Sequence, residues 1–179
     1  MAHILMIYST TDGHTLKICR RIKSLLAQQG HQVELVSIDQ AAELDPQAYD
    51  RIVIGASIRY GKHNKKVTKF VQRNQRILQQ KPTAFFSVNV VARKPDKNRP
   101  DTNPYLKKFL QQIPWQPDEL AVFAGKIDYP KYGFVDRMMI RLIMYMTNGP
   151  TDPRSVTEFT DWQQVENFAR VIADLSKKS

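Results

Sequence analysis

Tyr8-Ser9-Thr10-Thr11-Asp12-Gly13-His14-Thr15 joins a short apolar run to an amphipathic one. Upstream, His3 to Tyr8 reads as a buried strand; downstream, Leu16, Cys19, Ile22, Leu25 and Leu26 recur at helical spacing. A polar turn with a glycine at a helix N-terminus is anion chemistry. Free N–H groups and the helix dipole can hold a phosphate there without any lysine, and the hydroxyls of Ser9, Thr10, Thr11 and Thr15 can complete its hydrogen bonds. The same residues serve equally well as an ordinary turn and N-cap, so the loop alone leaves both readings open. Rival nucleotide folds lack their signatures. Neither G-x-G-x-x-G nor G-x-x-x-x-G-K followed by Ser or Thr occurs. The third strand closes on Gly55-Ala56-Ser57, without the aspartate a phospho-acceptor receiver domain needs.

Outward from that loop the chain alternates. Gly30 stops the first helix, and Val33, Leu35, Val36 and Ile38 make a second strand. After a short helix or turn over 41–49, residues 51–57 carry the Ile52-Val53-Ile54 centre of a strand buried on both faces. A loop over 58–64 precedes a helix marked by Val67, Phe70, Val71 and Leu78. The fourth strand is 83–91, the next helix carries Leu106, Phe109, Leu110 and Ile113, and the fifth strand is 120–124. Trp162, Val165, Phe168, Ala169, Ile172 and Leu175 mark the closing helix. This rhythm predicts an α/β fold: one domain over 1–179, a five-stranded parallel sheet covered on both faces, and sites at the carboxyl ends of the strands. One segment breaks the pattern. Residues 126–155 form an insertion near strand five, with 156–160 read as that strand's continuation, and a connection of that length is often functional.

The formal charge of +10 is unevenly distributed. Residues 59–108 hold 14 Lys or Arg against only Asp96 and Asp101, hence +12, leaving 13 basic and 15 acidic residues elsewhere. Such asymmetry points to an anionic lipid, substrate or nucleic acid, or more plainly to a solvated face that aids solubility. Nucleic acid is disfavoured, because Tyr60, Phe70, Phe85, Phe86, Tyr105 and Phe109 fall mostly at core positions rather than on a stacking surface. The lone Cys19 cannot form an internal disulfide, and no segment reaches the roughly 20 apolar residues of a membrane span. The apolar run at 4–8 is too short for a signal peptide, so a cytoplasmic location is expected.

Thr10-Thr11-Asp12-Gly13-His14-Thr15 resembles the phosphate loop of flavodoxins, with Asp12 in place of a threonine. An aspartate repels phosphate, so Asp12 is not assigned a contact. More narrowly, Gly55-Ala56-Ser57-Ile58-Arg59-Tyr60-Gly61, Ser87-Val88-Asn89-Val90-Val91-Ala92-Arg93-Lys94-Pro95, Tyr129-Pro130-Lys131-Tyr132, Asp136-Arg137-Met138-Met139-Ile140 and Thr160-Asp161-Trp162 resemble the bacterial quinone-dependent protoporphyrinogen IX dehydrogenases over nearly the whole chain. The resemblance implies a flavodoxin-like sheet of order 2-1-3-4-5 and FMN as cofactor. It implies oxidation of protoporphyrinogen IX, with menaquinone or ubiquinone as acceptor, at the inner face of the cell membrane. The implied cofactor site comprises Ser9, Thr10, Thr11, Gly13, His14 and Thr15, then Ser57, Ile58, Arg59, Tyr60 and Gly61, then Ser87, Val88, Asn89, Val90, Val91, Ala92 and Arg93. Tyr60 is a candidate to stack on the ring, and Arg59 or Arg93 to place positive charge near it. Because the flavin carries the chemistry, no catalytic side chain and no metal are expected, and His3, His14, His31 and His63 lack ligand spacing.

Where ordinary flavodoxins sandwich the ring with a second aromatic, this chain has Val90, Val91 and Ala92, which predicts a ring open on that side. Within the insertion, Met138, Met139, Ile140, Leu142, Ile143, Met144 and Met146 cover most of a helix, while Arg137, Arg141, Tyr145 and Asn148 form a narrow polar stripe. A soft methionine surface suits a macrocycle or a lipid interface, and arginines suit propionates or headgroups, making Arg137, Met138, Met139, Arg141, Met144 and Tyr145 candidates for substrate or an anionic membrane surface. The plainer alternative is a helix packed on the core. The competing function is a flavodoxin-type electron carrier, which its basic ring-loop segment disfavours because such carriers are generally acidic.

Overall fold

The computed structural model describes residues 1–177. Five parallel strands form the main sheet: β1 (His3–Ser9), β2 (Gln32–Ser37), β3 (Arg51–Arg59), β5 (Thr83–Asn89) and β6 (Glu119–Ala124), in the order β2-β1-β3-β5-β6. A two-residue strand, β4 (Lys62–His63), pairs antiparallel with the end of β3. With that short strand set aside, the order is the expected 2-1-3-4-5.

Successive strand residues point to opposite faces, so each strand feeds two cores. Leu5, Ile7, Ile52, Ile54 and Phe85 pack under α2 (Lys65–Arg73), α3 (Gln75–Gln80) and α4 (Pro104–Gln112). Ile4, Met6, Val53, Ala84 and Phe86 pack under α1 (His14–Gln28) and α6 (Trp162–Ala173). Burial on both sides explains why β1, β3 and β5 read as continuous apolar runs rather than alternating ones. Gly55 sits in this double core because the Phe86 ring of the adjacent strand lies over it, 2.1 Å from where a side chain would begin.

Three local expectations differ. The helix after residue 64 is two helices, broken at Asn74, whose side-chain amide donates to the Phe70 carbonyl at 2.9 Å. Residues 58–64 are not a loop but a hairpin: β3 runs on to Arg59 and returns through β4. Its two turn residues, Tyr60 and Gly61, both have positive φ (51° and 75°), the type I′ geometry that matches the twist of paired strands. Finally, 156–160 does not continue the fifth strand. Val156–Glu158 (β8) runs antiparallel to Lys126–Asp128 (β7), so the insertion leaves and returns through a two-stranded ribbon at the sheet's carboxyl edge. Between them lies α5 (Phe134–Met146).

Candidate functional site

The carboxyl ends of β1, β3, β5 and β6 and the inner side of the insertion enclose a cleft of about 380 Å³, within the usual range for small-ligand sites. Thr10, Thr11, Gly13, His14 and Thr15 form its first wall. Gly13 has a φ of 90° and donates its N–H to Thr10 Oγ1 at 2.9 Å. No side chain caps α1 and no acidic residue occupies its first turn, so its N-terminus is left for an external acceptor.

Two buried side-chain atoms lack a hydrogen-bond partner among the described residues, Thr15 Oγ1 and His14 Nδ1, the latter 3.8 Å from Glu158 Oε1, and both are in this loop. Thr160 donates its hydroxyl to the Ala124 carbonyl at 2.7 Å, so at 2.6 Å it accepts from His14 Nε2–H, and Nδ1 then carries the lone pair. Burial, partly offset by Glu158, lowers the His14 pKa and keeps that neutral form. Thr15 is therefore the free donor that fits a phosphate oxygen, whereas His14 Nδ1 is an acceptor and does not. Asp12 turns aside to Arg59, 3.5 Å away.

Ser57, Ile58, Arg59, Tyr60 and Gly61 form the second wall, and Val88, Asn89, Val90 and Val91 the third. Tyr60 is 62% exposed on its hairpin tip, free to meet a planar ligand. Four candidates lie off the cleft. Ser9 is buried at the end of β1, and Ala92 lies in the core under its loop. Ser87 is fully buried, in contact with His63 at 2.8 Å and with Asn89 at 3.1 Å. Arg93 points away: it donates to the carbonyl and hydroxyl of Thr147 at 2.9 Å each, at the C-terminal end of α5 where a cation is favoured.

Arg59 grips the other end of α5. It pairs with Asp136 in the helix's first turn as well as with Asp12, and its guanidinium lies 5.6 Å and 5.9 Å from the Tyr60 and Tyr132 ring centres. Two arginines expected beside a ring thus clasp the insertion helix at its two ends.

The helix is oriented unlike a surface helix of a soluble domain. Its inner side carries Asp136, Arg137, Ile140 and Met144, with Ile140 and Met144 packed on Ile127, Tyr129, Tyr132 and Val90. The polar stripe meets its own insertion: Arg137 donates to the Tyr129 and Tyr132 carbonyls at 3.3 Å and 3.2 Å, and Arg141 to the Thr151 carbonyl at 2.8 Å. Both guanidiniums meet loop carbonyls, Arg141 through Nε alone on an exposed side chain. Met139, Ile140, Ile143 and Met144 line the cleft along with Val90 and Val91, so the side without a second aromatic is bordered by aliphatic and thioether groups, Met139 and Ile143 remaining partly exposed. Phe134, Val135, Met138, Leu142, Tyr145 and Met146 stand outward, 55–77% exposed. Of the six insertion candidates, Met139 and Met144 line the cleft, while Met138 and Tyr145 face solvent.

Sequence reasoning missed Tyr105, Asp128, Lys131 and Tyr132, which also line the cleft. It also missed His63, which is buried against Phe85 and Phe109. The polar hairpin sequence around His63 gave no sign of burial; the antiparallel return of β4 creates it.

The flavodoxin domain family model matches residues 5–154. The protoporphyrinogen IX dehydrogenase (quinone) of Escherichia coli strain K12 is 47% identical over 97% of this chain and 96% of its own. The protein of that name from Leishmania major is 42% identical over 96% of this chain and 74% of its own. Among solved structures, oxidised flavodoxin 2 from Bacillus cereus superposes with a TM-score of 0.54 at 21% identity, covering 97% of this chain and 99% of that one, a likeness of fold.

Proposed function

This chain belongs to the flavodoxin domain family and, within it, to the quinone-type protoporphyrinogen IX dehydrogenases, and on that premise we propose that it oxidises protoporphyrinogen IX with a quinone as acceptor. FMN is its cofactor. When bound, FMN accepts electrons two at a time, so removing six electrons from the porphyrinogen converts three quinones to quinols. The observation that carries the reading is the cleft itself: a phosphate-type loop at one end, and an aliphatic, methionine-lined wall from α5 at the other.

The roles of the side chains are positional. The uncapped α1 N-terminus, the Thr10 and Thr11 hydroxyls and Thr15 Oγ1 receive the phosphate. The hairpin tip Tyr60-Gly61 and the Val88 to Val91 loop hold the ring. Met139, Ile140, Ile143 and Met144 exclude water from the face that a tetrapyrrole or quinone approaches. The outward apolar side of α5, with the basic charge of residues 59–108, supports peripheral docking on an anionic membrane at the inner face of the cell membrane; among the described residues no helix is long and apolar enough to cross one.

Anaerobic mixing of FMN-loaded protein, protoporphyrinogen IX and a soluble quinone is expected to produce quinone-dependent porphyrin fluorescence. FMN reduction without porphyrin formation would identify an electron carrier instead. Replacing Tyr60, a non-glycine residue held at φ 51°, by Asn is expected to stabilise the FMN-free protein by about 1 kcal/mol, since Asn tolerates that conformation, while weakening FMN binding about threefold to tenfold. Thermal melts and FMN titration measure the two effects; tighter or unchanged FMN binding would remove Tyr60 from the ring site.

A further inference from the structure

Behind the Tyr60-Gly61 hairpin lies a second cavity of about 370 Å³, which shares Gly61 and Tyr105 with the cleft. Lys62 from β4, Lys65 and Lys69 from α2, and Lys108 from α4 surround it, over a floor made by His63 and Phe109. No carboxylate lines it, and none of these four lysines forms an ion pair among the described residues.

The arrangement opposes the stability of α2. Lys65 and Lys69 are like charges one turn apart, and Lys65 and Lys66 occupy the positive end of the helix, whose first turn contains no acid. Lys66 has Asp39 as a counter-charge; the others are exposed side chains lining one concave surface. An anion placed there removes the repulsion of all four at once. His63 adds nothing to that charge, because burial holds it neutral, but with Phe109 it offers an aromatic floor.

We propose that this lysine-ringed cavity is the carboxylate subsite of the enzyme: it receives the acidic side arms of the tetrapyrrole, whose ring reaches past Gly61 and Tyr105 into the cleft. The proposal rests on the functional reading above. Lysines suit the task because a carboxylate on a flexible arm needs point charges on flexible stems rather than one rigid fork.

The test uses the FMN-loaded protein with Lys65, Lys69 and Lys108 all replaced by Gln, beside a second variant carrying Arg at the same positions, in detergent with a soluble quinone at low salt. The Gln variant is expected to raise KM for protoporphyrinogen IX and the Kd of protoporphyrin IX about tenfold or more, with kcat little changed. It should also lose the wild-type preference for the free diacid over its dimethyl ester, whereas the Arg variant should keep that preference. FMN content and the urea midpoint report that the fold is intact. Unchanged KM, Kd and ester preference in the Gln variant would overturn the proposal. So would a defect confined to binding of anionic lipid vesicles, which would assign the lysines to headgroup phosphates. If the wild-type protein forms no porphyrin with quinone, the functional reading has failed instead, and the protoporphyrin IX titrations still decide the subsite.

Discussion

Glutamate at Met138, Leu142 and Met146 is expected to abolish recovery of the protein on anionic lipid vesicles and its turnover with a vesicle-embedded quinone, while FMN binding and turnover with a soluble quinone persist. The three side chains lie on one outward strip of α5, 55%, 56% and 72% exposed, and none lines the cleft. Each loses roughly 1.5 kcal/mol of burial in a lipid interface, so the set is worth about 4.5 kcal/mol, on the order of a thousandfold in affinity, before repulsion by anionic lipid is counted. Vesicle co-sedimentation and a paired assay with soluble and embedded quinone measure it. Undiminished sedimentation would remove the membrane from the outer face. Loss of a solution dimer on substitution would give that face to a second copy of the chain. Deleting the whole helix is a poorer experiment, because Met139, Ile140, Ile143 and Met144 would leave the cleft with it.

Acid is expected to unfold the protein and release FMN through His63. Burial holds its imidazole down to about 4, against an ordinary value of 6.5. Between those values the unfolded chain binds a proton that the folded one does not. Stability is therefore complete above about pH 6.5 and falls as the pH drops towards 4, by about 3 kcal/mol for this residue alone. The effect reaches the cleft because His63 meets Ser87 at 2.8 Å, Ser87 accepts from Asn89, and the Asn89 carboxamide oxygen accepts from the Ala92 N–H at 3.1 Å and from Asn103 at 3.0 Å. This buried chain shapes the loop that presents Val90 and Val91. Urea denaturation and FMN release at pH 7, 5.5 and 4 should show the loss, and His63→Gln, which retains a hydrogen-bonding group without titrating, should flatten it. An identical pH slope in that variant would exclude His63 as the origin.

The polar chain around Asn89 shows why the candidate site was only partly legible. Ser87, Ala92 and Arg93 share a stretch with Val88, Asn89, Val90 and Val91, yet only the latter four meet the cleft. Ser87 lies inside β5, short of the strand's carboxyl end, while the turn after Asn89 folds Ala92 into the core and sends Arg93 to α5, and a stretch of sequence does not reveal where the strand ends and the turn falls. Arg59 and Arg93 illustrate the same limit for charge. Their place beside the ring loops was readable, but their partners, Asp136 and Thr147, are 77 and 54 residues away.

The eight residues from Tyr8 to Thr15, with the apolar runs on either side, were enough to read a strand, a glycine turn and a helix, because these depend on periodicity and local backbone chemistry, while the turn's suitability for an anion stayed one of two readings until the uncapped helix end and the unpartnered Thr15 hydroxyl were seen. Alternation along the rest of the chain established a parallel sheet covered on both faces. The methionine-rich character of the insertion was equally plain. Its direction was not: a helix with apolar residues over most of its surface and a narrow polar stripe can pack either way, and only the packing of Ile140 and Met144 on Ile127, Tyr129 and Tyr132, with Arg137 and Arg141 held by the loop carbonyls of Tyr129, Tyr132 and Thr151, leaves the opposite apolar strip to the outside. Tertiary structure likewise made one cavity of Lys62, Lys65, Lys69 and Lys108, since convergence of side chains from separate elements depends on contacts that no local pattern encodes.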